Sequence, residues 1–215
     1  MARSPSRDPE PPAPAERAYH HGDLRRALLD ETVRLIEEQG LDAVSVRELA
    51  RRLGVSPGAP FRHFENRMAL LTAVAEEAQE RLVKSVGDAL RHAADADPLQ
   101  RFRAIGIGFL RWAIQNPTHF AVISNRAVID FERPSLRERN DVLRATMRTL
   151  LADAASQGLL RSGDLDRLVL AARALSYGLA RMLIDGQFPS WGLNEAGALN
   201  ESVAVLDQFI ASLAV

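Results

Sequence analysis

The sequence predicts an all-α protein of about nine helices, and three observations carry that prediction. Apolar residues recur at helical spacing through most of the chain. Capping residues and prolines stand where those runs begin and end. No stretch alternates apolar and polar residues as a half-buried strand would.

Composition narrows the class. The 215 residues are 47% hydrophobic and 26% charged, which suits a protein with a sizeable core. No run approaches the roughly 20 apolar residues of a membrane span, and the N-terminus has no apolar stretch of the kind a secretion signal needs. A cytoplasmic protein with no membrane partner is expected. The absence of cysteine removes disulfides and thiolate chemistry, and the five histidines show no paired metal spacing, so neither metal nor cofactor is expected. A net charge of −1 argues against coating nucleic acid everywhere but leaves room for one basic face.

Residues 1–18 carry Pro5, Pro9, Pro11, Pro12 and Pro14 with Arg3, Arg7 and Arg17 and little that is apolar, so they read as a disordered arm. The first helix runs from Asp23 to Gln39 with Leu24, Leu28, Thr32, Leu35 and Ile36 on one face, and Gly40 ends it. Ser45 opens the second helix as part of an S-x-x-E capping box to Glu48, with Val44 and Leu49 placed as a hydrophobic staple, and Gly54 closes it. Ser56 caps a short third helix with Pro57 at its first position, although Pro60 biases Ala59 away from helical angles. Leu49, Ala50, Leu53, Val55, Phe61 and Phe64 supply the contacts between these helices, and Asn66 caps a long fourth helix from Arg67. The stretch is thus helix, turn, helix.

The run "LARRLGVSPGAPFRHFENRMALL" (49–71) resembles the DNA-binding segment of TetR/AcrR-type transcriptional regulators, and "YHHGDLRRALL" (19–29) is similar to the start of the first helix in one subgroup. The resemblance covers about residues 19 to 75. It implies a DNA-binding domain at 19–66, a ligand-binding and dimerisation domain at 67–215, a homodimer, and release of operator DNA by a small effector.

The residues can be assigned roles on that basis. Arg47 matches a family position that reaches a base edge, where an arginine donates two hydrogen bonds to guanine. Arg62 is the second base-reading candidate. Pro57, Gly58 and Ala59 are small enough to let the backbone approach the groove. Ser45, Ser56, His63 and Arg67 match positions near the phosphates. Phe61 stands where the family usually has tyrosine, so its ring packs but no hydroxyl reaches a phosphate. From Ser45 to Arg67 five arginines face Glu48 and Glu65, a window of +3 in a chain of −1. The arm, with Tyr19, His20 and His21, could add minor-groove contacts.

Beyond the fourth helix, helices are expected from Pro98 to Asn116, Thr118 to Asn125 and Ser135 to Gln157. They carry Phe102, Phe109, Trp112, His119, Phe120, Ile123 and Met147, which suit either a core or a cavity for a hydrophobic or aromatic molecule. The resemblance implies that cavity, with His119 as the polar group to orient a ligand. The last two helices carry apolar faces, one of Leu165, Leu168, Ala172, Leu175, Leu179, Met182 and Gly186, the other of Leu199, Val203, Leu206, Ile210 and Leu213. Ala171, Ala174 and Gly178 permit close approach of a partner helix, and in the family this pair meets its two-fold copy. Ser176-Tyr177-Gly178 stands where one subgroup has Trp-His-Gly, which makes Tyr177 a further ligand candidate. Enzymatic activity is not expected, because Ser56 has a capping role and no evident base. A transcriptional activator or a DNA-organising protein of the same fold remains the alternative to a repressor.

Overall fold

The computed structural model describes residues 21–215, so the expected arm at 1–18, with Tyr19 and His20, lies outside the described residues. Eight α-helices make up the described residues: α1 (His21–Gln39), α2 (Val46–Leu53), α3 (Arg67–His92), α4 (Pro98–Gln115), α5 (Pro117–Ser124), α6 (Pro134–Ser156), α7 (Leu165–Ile184) and α8 (Ala198–Leu213). A single antiparallel bridge, Leu160 to Ala214, is the one β-type pairing among them.

The ninth expected helix does not form. Residues 56 to 63 are instead a chain of tight turns ending in a 3₁₀ turn at Pro60–Arg62. The backbone bonds show why: Ala59 N–H donates to Ser56 O at 3.0 Å and His63 N–H to Pro60 O at 2.9 Å, three residues back rather than four. Pro60 has no N–H to give Ser56 the helical bond, and Pro57 and Gly58 add nothing to helix propensity. Ala59 nevertheless keeps right-handed helical angles (φ −62°, ψ −43°), contrary to the bias expected before proline. Ser56 therefore caps no helix.

The other boundaries fall within a residue or two of expectation. Ser45 is extended and accepts from Glu48 N–H at 3.1 Å, a cap worth about 1 kcal/mol. The reciprocal half of the box is absent, because the Glu48 carboxylate is taken by Arg51 and Arg52. Val44 and Leu49, the two staple residues, are both buried. Gly54 ends α2 at φ 66°, a left-handed angle that favours glycine. Asn66 Oδ1 accepts from Ala69 N–H at 2.9 Å and starts α3 where expected. Asn116 separates α4 from α5, and Pro117 both stops the one and opens the other.

One connected core runs from Leu24 in α1 to Leu213 in α8. Helix α3 is its spine, starting against the α1–α2 unit and then packing along α4, with α5 and α6 on its flanks. Its approach to α4 is unusually close at Gly108, where a Cβ would stand 2.9 Å from Val86 Cα and 3.1 Å from Ser85 O. Ser85 Oγ donates to Gly108 O at 2.8 Å across the same contact. Helices α7 and α8 close the far side of α4, joined by the Arg103–Asp207 ion pair from α4 to α8.

Candidate nucleic-acid interface and effector cavity

The five arginines of the +3 window divide sharply. Arg52, whose side chain is 16% exposed, donates to Glu48, Glu31 and Glu38 and so ties α2 to α1. Its hydrogen bonds to Glu38 first, then to Glu48 and Glu31, raise its pKa further. Arg51 pairs with Glu48 at 2.6 Å, and its hydrogen bond, with that of Arg52, pulls the Glu48 carboxyl down to about 2. Arg67 Nε and Nη2 donate to Val44 O and Leu41 O at 2.9 and 2.8 Å, pinning the start of α3 to the α1–α2 connection. That leaves Arg47 and Arg62 exposed, with no ion pair or side-chain hydrogen bond among the described residues.

The remaining expected contact residues surround these two. Ser45, Ser56, Pro57 and Gly58 are exposed, while Ala59 and His63 are half-buried. His63 Nε2 is buried without a hydrogen-bond partner among the described residues. The expected packing of Phe61 is corrected by the structure: its ring is 48% exposed, and Pro60 and Phe64 fill the interior instead. Consecutive residues on a 3₁₀ turn point about 120° apart, so Phe61 cannot share the inward direction that its neighbour Pro60 holds. Arg67 is likewise a tether first, with two of its donors already engaged on carbonyls.

Further from the N-terminus, a cavity of about 110 Å³ lies between α3, α4, α5, α6 and α7. Phe109, Trp112, Phe120, Ile123 and Tyr177, five of the candidate ligand residues, are among those that line it. Their rings form a continuous cluster, with centroid separations of 5.7 Å for Phe109–Trp112, 6.0 Å for Trp112–Phe120 and 5.4 Å for Phe120–Tyr177. Phe102 and Met147 line a smaller adjoining pocket of about 30 Å³, which shares Phe109. His119 is elsewhere. It is buried with Nε2 unpartnered and borders a polar cleft with Arg26, Glu37, Glu77 and Arg81, between α1, α3 and α5. Burial, followed by the charge of Arg81, lowers its pKa. A helix turns by 100° per residue, so His119 and Phe120 cannot face the same side of α5.

Sequence reasoning missed the polar part of the cavity wall: Gln79, Ser124, Arg126, Asn140 and Arg173. One signal was available. Arg173 sits four residues from both Val169 and Tyr177 on α7, a cation on the side of the helix that turns inward. Its guanidinium lies 4.5 Å from the Phe109 ring centroid and 5.6 Å from that of Tyr177.

Helix α5 links cavity and N-terminal unit. Phe120 and Ile123 line the cavity, while Thr118 Oγ1 donates to Glu37 Oε1 of α1 at 3.2 Å. On the opposite side of the molecule, Ala172, Leu179, Leu206, Ile210 and Leu213 turn into the core. Leu165, Leu168, Leu175, Met182, Leu199 and Val203 stay half-buried, and Ala171, Ala174 and Leu170 are exposed. A Cβ on Gly178 would meet nothing within 4 Å, whereas Gly186 lies past the end of α7 at φ 64° and belongs to no helix face. Among the described residues no helix is long and apolar enough to cross a membrane, and no cluster of three potential metal ligands occurs.

Comparison with known proteins gives these features a setting. Residues 28–74 match the family described as bacterial regulatory proteins, tetR family, and residues 102–206 match the tetracyclin repressor-like C-terminal domain. A solved protein of unknown function from Rhodococcus sp. RHA1 is 30% identical, with 93% of this chain and 100% of that one covered and a TM-score of 0.74. The nucleoid occlusion factor SlmA of Vibrio vulnificus is 27% identical over 155 residues, which are 70% of this chain and 78% of that protein. An HTH-type transcriptional repressor of Mycobacterium tuberculosis is 41% identical over 63 residues, 29% of this chain and 34% of that one.

Proposed function

This chain belongs to the TetR family of bacterial regulatory proteins, and from that premise we propose that it is a homodimeric repressor whose hold on a near-palindromic operator is released by a small hydrophobic effector. It is a DNA-binding transcriptional regulator with a non-enzymatic fold. In this reading residues 19–66 bind DNA and residues 67–215 bind the effector and the second copy. Proteins of the family act as dimers; here the pairing surface is the outer face of α7 and α8, where Ala171, Ala174 and Gly178 let a partner helix come close.

Arg47 and Arg62 read bases because they are the two arginines of the window not spent on the fold. Ser45, Ser56, Pro57, Gly58, Ala59 and His63 bring the backbone and short polar groups to the phosphates, and Arg67 adds what its remaining donors allow. The exposed ring of Phe61 offers an apolar contact to a sugar or a thymine methyl, since it has no hydroxyl for a phosphate. Two symmetry-related units then bind two half-sites, and each unit's affinity multiplies the other's.

The observation that carries effector response is the placement of α5. A ligand entering beside Phe109, Trp112, Phe120, Ile123 and Tyr177, with Phe102 and Met147 behind, pushes on a helix whose other side holds α1 through Thr118, Glu37 and the cluster around His119. Displacing α5, and with it α1, changes the separation of the two reading units. Release follows if the ligand favours the spread arrangement.

The identity to SlmA favours a second reading, a DNA-organising factor of the same fold without effector response. A salt titration separates the two. The repressor binds its preferred site on the order of 10³-fold or more tighter than unrelated DNA at physiological salt, and an aromatic ligand that fills the cavity lowers that affinity. Binding that is nearly equal on all sequences, or unmoved by a ligand shown to bind, sinks the repressor reading.

A further inference from the structure

The cavity is apolar in its rings and unsatisfied in its polar groups. Gln79, Ser124, Arg126, Asn140, Arg173 and Tyr177 all line it, and none of these side chains has a hydrogen-bond partner among the described residues. Gln79 is 3% exposed overall. Arg173 Nη1 is buried and unpartnered. No aspartate or glutamate lines the cavity, so neither arginine finds a counter-charge there.

The two cations have different depths. Arg173 reaches in from α7, its guanidinium against Phe109 and Tyr177. Arg126, an exposed residue overall, stands at the rim with its guanidinium over the Phe131 ring. Burial, with Arg173's own charge as second cause, disfavours the charged form of Arg126. Burial does the same to Arg173. A like-charged pair on a shared wall, without a carboxylate, is costly for the empty protein and is offset by an anion that enters between them.

We propose that the effector is an organic carboxylate, its apolar ring or branched chain stacked among Phe109, Phe120 and Tyr177 and its carboxylate held by Arg173 and Arg126. The proposal rests on the effector-cavity reading above and deepens it from hydrophobic to amphiphilic and anionic. A guanidinium matches a carboxylate with two parallel hydrogen bonds, so Arg173 would fix orientation as well as charge. The free volume of about 110 Å³ is several times the roughly 30 Å³ share of a single water and takes one ring. Leu143 and Arg173 also border the adjoining pocket and an open groove of about 390 Å³ between α6 and α7, so a longer acid has somewhere to extend.

The test compares acids with their neutral isosteres. Benzoate, phenylacetate and cyclohexanecarboxylate, and the three corresponding amides, are titrated calorimetrically into the full-length protein, and each is added to its complex with a selected DNA site. The expected result is that at least one acid binds tenfold or more tighter than its amide. Arg173→Gln should erase that preference while amide binding persists, and Arg126→Gln should reduce it. Equal affinity for acids and amides, or a preference that survives Arg173→Gln, overturns the anion site; if the amides still release DNA, the hydrophobic-effector reading stands. An acid that binds with the expected preference but leaves the DNA complex intact upholds the anion site and removes the effector reading. Failure of all six compounds to bind overturns the inference. Should Arg173→Gln not fold, the wild-type acid and amide affinities and the rim variant Arg126→Gln decide the matter.

Discussion

At the scale of single residues, the account turns on which arginines are already occupied. Arg51, Arg52 and Arg67 have partners inside the protein, whereas Arg47 and Arg62 have none among the described residues. Arg47→Ala should therefore cost about 1–3 kcal/mol of operator affinity, concentrated at one base position per half-site. A binding assay across all single-base variants of the site checks this, and an equal loss on every variant would assign Arg47 to phosphate. Arg52→Ala should instead lower the thermal midpoint of the α1–α2 unit and affect DNA binding only through that. Glu48 supplies a pH test. Its folded pKa, about 2, lies below its ordinary value of 4.5, so its contribution is fully present above pH 4.5 and is lost as pH falls toward 2. Glu48→Gln should flatten acid sensitivity over that window; an unchanged acid unfolding curve would mean the pairing contributes nothing net. The separation of Arg47 and Arg62 from their neighbours was legible in sequence only as reach and position. That Glu31 and Glu38 from α1 would take Arg52 was not, because such pairing depends on how two helices cross rather than on spacing within either.

At the scale of elements, most of the capping chemistry was readable and the turn segment at 56–63 was not. Ser45, Gly54 and Asn66 act within a few residues of themselves, so their roles follow from local backbone geometry. The expected third helix failed because Pro57, Gly58 and Pro60 together outweigh a serine cap, leaving 3₁₀ turns that still hold Pro60 and Phe64 inward. The cavity was half legible for a similar reason. Most of its rings lie on the neighbouring helices α4 and α5, but its polar wall joins Arg173 of α7 to Arg126 beyond α5 and Gln79 of α3. Only the packing of three separate segments brings those together. The spine itself can be tested at Gly108. Helix propensity alone favours alanine by about 1 kcal/mol, yet a Cβ there meets the Val86 and Ser85 backbone, and overpacking of that kind costs about 1–3 kcal/mol. Gly108→Ala should thus lower stability in denaturant unfolding, and a gain would show that α3 and α4 separate easily.

At the scale of the whole molecule, the proposed function depends on two copies held at a spacing that an effector changes. Placing a charge on the open face of α7, as in Ala174→Arg, should yield a folded monomer by sedimentation. Operator affinity should fall by roughly 10²–10⁴-fold as the paired contacts are lost. A dimer that survives this change would move the interface elsewhere. The central claim, that this TetR-family chain is a site-specific regulator and not a general DNA coat, is tested most directly by selecting genomic fragments with the purified protein at low and moderate salt. The account predicts enrichment of a near-palindromic sequence that persists as salt rises; recovery of fragments with no shared sequence at either salt concentration would contradict it.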